Sequence, residues 1–182
     1  MRSLTAGLFA SVDGVVEAPN KWQFDAFDER LGAAMSDMMS RVDTVLLGRV
    51  GYQEWSGYWP NVSDDPFAAF INPIPKFVAS RSMTGPLEWQ NSQLIEGDLT
   101  DFVRRLKSGD GGDIAIGGGI SLVRQLLFAD LLDALTLLVH PVIAGAGRHL
   151  FEPTDPTTRL KLVDGETTPA GNAILTYTTR RD

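Results

Sequence analysis

The sequence predicts an α/β protein built on a mostly parallel sheet with an antiparallel edge. Short apolar runs alternate with amphipathic stretches along most of the chain, the pattern of strands feeding helices. Runs such as Val45-Leu46-Leu47 and Ile114-Ala115-Ile116 are apolar at every position, as strands covered on both faces are. The end of the chain differs. Residues 160–164 and 173–179 read as two strands with turn residues between and beside them, an antiparallel pair.

Taken in order, Leu4-Thr5-Ala6-Gly7-Leu8-Phe9-Ala10 predicts a buried first strand, and Asp13-Gly14 a turn after it. Residues 17–24 predict a loop carrying Pro19, Trp22 and Phe24. Residues 25–41 have helical spacing, with Phe27, Leu31, Ala34, Met35, Met38 and Met39 on or near one face, and core packing explains that stripe. Thr44-Val45-Leu46-Leu47 is the next strand; Gly48-Arg49 ends it and a short helix runs through Trp55. Residues 56–66 form a loop rich in Gly, Pro, Asn and Asp, and 67–71 a helical turn. Lys76-Phe77-Val78-Ala79 is a strand ended by Ser80-Arg81-Ser82. Residues 87–89 and 93–95 carry strand-like residues, and Asp98 or Thr100 suits the cap of a helix running to about Lys107. A Gly/Asp turn over 108–113 leads into strand 114–116, the triplet Gly117-Gly118-Gly119 and an amphipathic helix over 121–127. Residues 135–139 are an apolar strand ended by His140-Pro141, with a glycine turn at Gly145-Ala146-Gly147. No repeat or linker divides the chain, so residues 1–182 are expected to form a single domain.

Composition removes several function classes. With no cysteine and only His140 and His149 as histidines, disulfides, thiolate catalysis and a multi-histidine metal site are not expected, and no metal is assigned. The net charge of −7 argues against general binding to nucleic acid or to anionic membranes. No run reaches the length of a membrane span, and the N-terminus lacks the apolar segment and cleavage site of a signal peptide, so a cytoplasmic protein is expected. There is no P-loop lysine motif, HExxH, GxSxG or glycosidase-like carboxylate pair.

The chemistry then rests on three strand ends: Gly48-Arg49, Ser80-Arg81-Ser82 and Gly117-Gly118-Gly119. Ligands of open α/β sheets bind beyond the carboxyl ends of the strands. Glycines allow close approach of backbone to ligand, and the helix that follows offers unpaired N–H groups to an anion. By itself the triplet also fits a plain tight turn. Two arginines suit a further phosphate, and Arg49 and Arg81 are natural partners for the 2′-phosphate that separates NADP from NAD. The alternative is surface arginines paired with acids. Trp55, Tyr58 and Trp59 lie near the first of these junctions and either wall a pocket for a flat ring or pack the sheet edge. His140, before Pro141 at a strand end, reads as structural.

Five motifs occur in order: Ser11-Val12-Asp13-Gly14, Val45-Leu46-Leu47-Gly48-Arg49, Val78-Ala79-Ser80-Arg81, Ile114-Ala115-Ile116-Gly117-Gly118-Gly119 and His140-Pro141-Val142-Ile143-Ala144-Gly145-Ala146-Gly147. Over nearly its whole length the chain resembles the reductase domain of bacterial bifunctional riboflavin-biosynthesis deaminase-reductases, within the dihydrofolate reductase superfamily. The resemblance implies a three-layer α/β/α fold of dihydrofolate reductase type, with NADPH lying across a central mixed sheet, and a homodimer. It places Gly48 and Arg49 on cofactor phosphates, and Ser80 and Arg81 by the adenosine ribose and its 2′-phosphate. Gly117, Gly118 and Gly119 with Ile120 and Ser121 fall on the diphosphate turn, and Ala10 with the Ser11–Val16 segment beside the nicotinamide. Two departures stand out. The family often has Ser or Thr two residues after the Gly-Arg, where this chain has Gly51. The early-helix acid of dihydrofolate reductases has no clean counterpart in Asp25 or Asp28.

The expected function is therefore an NADPH-dependent oxidoreductase acting on a pyrimidine- or pterin-like heterocycle. It resembles 5-amino-6-(5-phosphoribosylamino)uracil reductase of riboflavin biosynthesis. A deaminase half with its zinc motif is not expected in these 182 residues, which contain no cysteine. Trp22, Phe24 and Trp55 are candidates for the substrate side. Asp13 is the candidate catalytic group, or else the residue of an Asp-Gly turn. Dihydrofolate reductase proper, and a nucleotide-binding protein without catalysis, are the alternatives.

Overall fold

Strand and helix alternate along the computed structural model, which describes residues 1–179. The elements are β1 (Leu4–Ser11), α1 (Glu29–Ser40), β2 (Val42–Gly48), α2 (Arg49–Tyr58), α3 (Pro66–Ile71), β3 (Lys76–Ala79), β4 (Ser92–Leu94), α4 (Leu99–Ser108), β5 (Asp113–Gly117), α5 (Ile120–Phe128), β6 (Ala134–His140), β7 (Leu160–Thr167) and β8 (Ala173–Thr179). They build one eight-stranded sheet in the order β4-β3-β2-β5-β1-β6-β8-β7. The strands from β4 to β6 are parallel, and β8 and β7 add the antiparallel edge.

The alternation of β1 divides its side chains between the two faces of the sheet. Leu4, Ala6, Leu8 and Ala10 pack with Val103 of α4 and Leu122, Val123, Leu126 and Leu127 of α5. On the other face, Phe9 joins Leu138 and Ile174 under Leu31, Ala34, Met35 and Met38 of α1. Further along that face, Val45, Leu47 and Val78 pack with Tyr52 of α2 and Ile71 of α3. Helices thus cover the sheet on both sides, which explains the continuously apolar inner strands.

Two local expectations are corrected. The first long helix begins at Glu29 rather than at residue 25, because the Asp28 carboxylate caps it by accepting from the Leu31 N–H at 2.9 Å. Residues 24–26 form a separate 3₁₀ turn. Residues 87–89 are not a strand. The Trp89 main-chain N–H donates to the Tyr52 hydroxyl and its indole Nε1–H to Asn72 Oδ1 at 2.9 Å, so side chains supply the bonds a ladder would have made.

The strands end at two levels. Leu47 of β2 pairs with Gly117 of β5, and Gly48 with Ala79 of β3, so these three strands stop together. β1 pairs with β5 only over Leu4–Ala6 but with β6 over Thr5–Ser11. β1 and β6 therefore run on about four residues, roughly 13 Å, beyond the end of β5. β2 and β5 are neighbours whose following helices leave to opposite faces, α2 to one and α5 to the other. This is a topological switch point, where an open α/β sheet forms its crevice.

Candidate cofactor and substrate site

The helices of the switch point differ from the rest in how they begin. α1, α3 and α4 are each capped by an aspartate, Asp28, Asp65 and Asp98, whose side chain accepts a first-turn N–H. α2 and α5 begin on Gly48 and Gly119, with no capping side chain. Their first-turn N–H groups are left to an external acceptor, and the positive helix ends favour an anion. Gly48 also faces open space, since a Cβ there would meet nothing within 4 Å. A side chain would fill that cradle without improving the packing.

The two junctions touch. A Cβ on Gly51, in the first turn of α2, would lie 3.1 Å from the carbonyl oxygen of Gly118. That accounts for the missing Ser or Thr: the glycine turn approaches α2 too closely for a side chain. Gly51→Thr is expected to destabilise the protein by about 1–3 kcal/mol with no gain in nucleotide affinity, measured by thermal denaturation and titration. Trp55 sits on the same turn. A Cβ on Gly117 would come within 2.7 Å of its Cζ3, and one on Gly118 within 3.1 Å of its Cε2. Two of the three glycines are thus needed by the indole, and Gly118 also has φ +59°. Trp55 packs edge-on to Phe67 at 5.4 Å, behind the glycine turn.

Arg49 and Arg81 are exposed at the ends of β2 and β3. Arg49 Nη1 donates to Gln53 Oε1 at 3.1 Å, and among the described residues neither arginine is in an ion pair. Other arginines are neutralised: Arg30 by Glu166, and Arg124 by Glu152 and Asp155. The Ser80 hydroxyl accepts the N–H groups of Ser82 and Met83 and so shapes the turn that carries Arg81. A third cation went unnoticed in the sequence. Arg148 Nη2 lies 3.3 Å from Ser121 Oγ, in the first turn of α5. The one available signal was its place after the Gly145-Ala146-Gly147 turn.

Asp13 secures the loop that delivers Arg148. Its carboxylate accepts the Ser11 hydroxyl at 2.6 Å and the N–H groups of Ala144 and Gly145 at 2.9 and 2.8 Å. Its carbonyl accepts from His149 Nε2 at 2.9 Å. The Ser11 hydroxyl first, then the two backbone donors, hold its pKa at about 2. Near neutral pH it is therefore ionised, and its oxygens serve the loop as those of a turn residue do. Ala10, next to Ser11, is buried towards α5.

Beyond the ends of β1 and β6 lies a hollow of about 340 Å³ lined by Lys21, Trp22, Phe24, Asp25 and Val142. The structure brings Trp22 and Phe24 together there and leaves Trp55 on the glycine turn. Phe24 is 66% exposed and Trp22 rests edge-on against His140 at 5.7 Å. Of the two early acids, Asp25 is on the wall of the hollow. Asp28 is occupied by its helix and by the Ala170 N–H at 2.8 Å.

Residues 2–174 match the RibD C-terminal domain profile. The chain belongs to the RibD C-terminal domain family. Among its relatives, the uncharacterized protein YyaP of Bacillus subtilis is 28% identical over 97% of this chain and 94% of its own length. The uncharacterized YwjB of the same organism is 29% identical over 86% and 82%. In three dimensions, a Shewanella sp. PV-4 structure described as a riboflavin biosynthesis protein superposes with a TM-score of 0.79 at 22% identity, covering 98% of this chain and 99% of that one. A dihydrofolate reductase from Enterococcus faecalis complexed with NADP(H) superposes at 0.64 and 15% identity, over 98% and 97%. The RibD C-terminal domain fold is thus the dihydrofolate reductase-like α/β/α arrangement, and membership supports a reductase of the RibD kind. Among the described residues no helix is long and apolar enough to cross a membrane.

Proposed function

We propose that the protein is an NADPH-dependent reductase of a pyrimidine- or pterin-like heterocycle, similar to 5-amino-6-(5-phosphoribosylamino)uracil reductase. One observation carries the reading. The two uncapped, glycine-started helices meet at a switch point, Gly51 against Gly118, with Arg49, Arg81 and Arg148 at the strand and helix ends around it. When bound, NADPH supplies the hydride. Ile120 and Ser121 at the start of α5, with Gly117, Gly118 and Gly119, take the diphosphate. Gly48, Arg49, Ser80 and Arg81 take the adenosine end. The nicotinamide lies beside Ala10 on the projecting part of β1, and Trp22 and Phe24 hold the flat substrate. Asp13 orders the loop and exchanges no proton.

Equilibrium binding of NADPH and NADH tests this. Affinity for NADPH no better than about 1 mM removes the reductase reading. Tight binding without reduction of a pterin or a ribosylaminopyrimidine removes the substrate and leaves the cofactor. Arg148→Ala is expected to weaken NADPH and NADH alike, each about tenfold, because the diphosphate is common to both. A loss confined to NADPH would move Arg148 to the 2′-phosphate. A homodimer belongs to the same reading. β7 is the outermost strand and exposes Leu162 and Val163. Light scattering is expected to give twice the chain mass, and Leu162→Glu to lower it; a wild-type monomer removes that part.

A further inference from the structure

The hollow is walled by two segments of the chain, one carrying Lys21, Trp22, Phe24 and Asp25 and the other Val142. One turn, residues 168–172 between β7 and β8, stands behind both. Its main chain closes it: the Thr168 N–H donates to the Asn172 carbonyl at 2.9 Å, and the Gly171 N–H to the Thr168 carbonyl at 2.9 Å. The Asn172 side chain reaches out of the hairpin. It is fully buried, and its Nδ2 donates to the Ala26 carbonyl at 2.6 Å and to the Thr168 hydroxyl oxygen at 2.9 Å. Ala26 directly follows Phe24 and Asp25 in one 3₁₀ turn. Two further bonds tie the turn to the same segment. The Ala170 N–H donates to the Asp28 carboxylate at 2.8 Å, and the Thr168 hydroxyl hydrogen-bonds that carboxylate as well. Towards the second segment, a Cβ on Gly171 would lie 3.6 Å from Cγ of Pro141, the residue before Val142.

The wall cannot hold itself in place. The 3₁₀ turn that carries Phe24 and Asp25 is three residues long, and its own bonds are long: Ala26 N–H to the Gln23 carbonyl at 3.4 Å and Phe27 N–H to the Phe24 carbonyl at 3.5 Å. Bonds of that length hold weakly. Phe24 is mostly exposed, so packing fixes it little. The short bond on this turn is the one from Asn172. An amide suits the place, since Nδ2 has two hydrogens on a short stem, one for Ala26 and one for Thr168. The Thr168 hydroxyl accepts the second and so aims the first. We infer that Asn172 is a positioning residue of the hollow, setting the place of Phe24 and Asp25 through the Ala26 carbonyl, with Thr168 orienting its amide. Its bearing on the reaction rests on the hollow being the substrate side. Its hold on the wall does not involve the cofactor.

Hydrogen exchange of the indole N–H groups, read by nuclear magnetic resonance of the ¹⁵N-labelled protein without cofactor, tests the hold on the wall. Trp22 stands in the wall; Trp89, bonded to Asn72 in the cluster around α2 and α3, is the control. Asn172→Ala is expected to speed exchange at Trp22 at least about tenfold and to leave Trp89 within about twofold, as local opening does. A general loss of stability would speed both. Thr168→Val should act in the same direction, and Thr168→Ser, which keeps the hydroxyl, should restore the wild-type rate. That pair carries the test if Asn172→Ala does not fold. A Trp22 rate that stays unchanged, or rises only in step with Trp89, overturns the inference. In turnover, Asn172→Ala is expected to raise the KM for a dihydropterin about tenfold with kcat little changed, and to leave the Kd for NADPH within about twofold. A wall that opens while KM stays put overturns the hollow as the substrate side, and with it the bearing of Asn172 on the reaction. NADPH that fails to bind removes the reductase reading and leaves the exchange result as it stands.

Discussion

Replacing both Arg49 and Arg81 with Ala is expected to weaken NADPH about a hundredfold and NADH by no more than about threefold. The two cofactors differ only in the 2′-phosphate, so selectivity isolates the contacts to that group. A charge-assisted hydrogen bond is worth about 1.5–3 kcal/mol, and the lower end applies to side chains as exposed as these. Each single variant should then lose about tenfold, since about 1.4 kcal/mol is a factor of ten. The arginines suit the task because no carboxylate neutralises them among the described residues, whereas Arg30 and Arg124 are engaged. The preference for NADPH should also shrink as salt rises. Equal losses for NADPH and NADH would show that neither arginine reads the 2′-phosphate.

The strand ends of the site were legible because their signal is local. A continuously apolar strand followed at once by Gly-Arg or by three glycines places the junction without knowledge of the rest of the chain. The choice between ligand and packing was not local. Gly117 and Gly118 lack a Cβ because the Trp55 ring lies on them, and Gly51 because Gly118 does. Those contacts exist only once α2 has folded back over β5. Arg148 escaped for the same reason. It reaches Ser121 only when the loop after β6 is clasped by Asp13. Asp13 itself offers both a turn and a catalytic reading, and the donors that tie it to the loop, Ala144 and Gly145, are more than a hundred residues away. The start of α1 was misplaced because Asp25 and Asp28 both suit a helix start, and the side chain that accepts the Leu31 N–H decides between them.

The largest loss of stability is expected from Lys76→Ala, about 3–4 kcal/mol, or a melting temperature lower by roughly 6–16 °C. A lysine opening a short strand reads as a surface residue, yet Lys76 is fully buried. Its Nζ donates to the carbonyls of Ile71, Asn72 and Ile74 at 2.9, 3.1 and 2.8 Å, closing the C-terminal end of α3, and lies 4.5 Å from the centre of the Trp89 ring. Removing it takes the Nζ donor from the carbonyls of Ile71 and Ile74, leaves the Asn72 carbonyl with Gln90 Nε2 alone, and opens a cavity beside the indole. Lys76→Met keeps most of the volume and should lose less. Burial lowers the pKa of Lys76 to about 8, so the ammonium is intact at pH 7. In the unfolded chain it titrates at about 10.5. Between these values the unfolded state holds more protons, so the contribution of Lys76 to stability rises with pH. Other groups cancel when wild type is compared with Lys76→Met. The difference between their unfolding free energies in urea should therefore widen from pH 8 upward. A constant difference across that window would mean that Lys76 keeps its proton as an exposed lysine does, with the three carbonyls and the indole offsetting its burial.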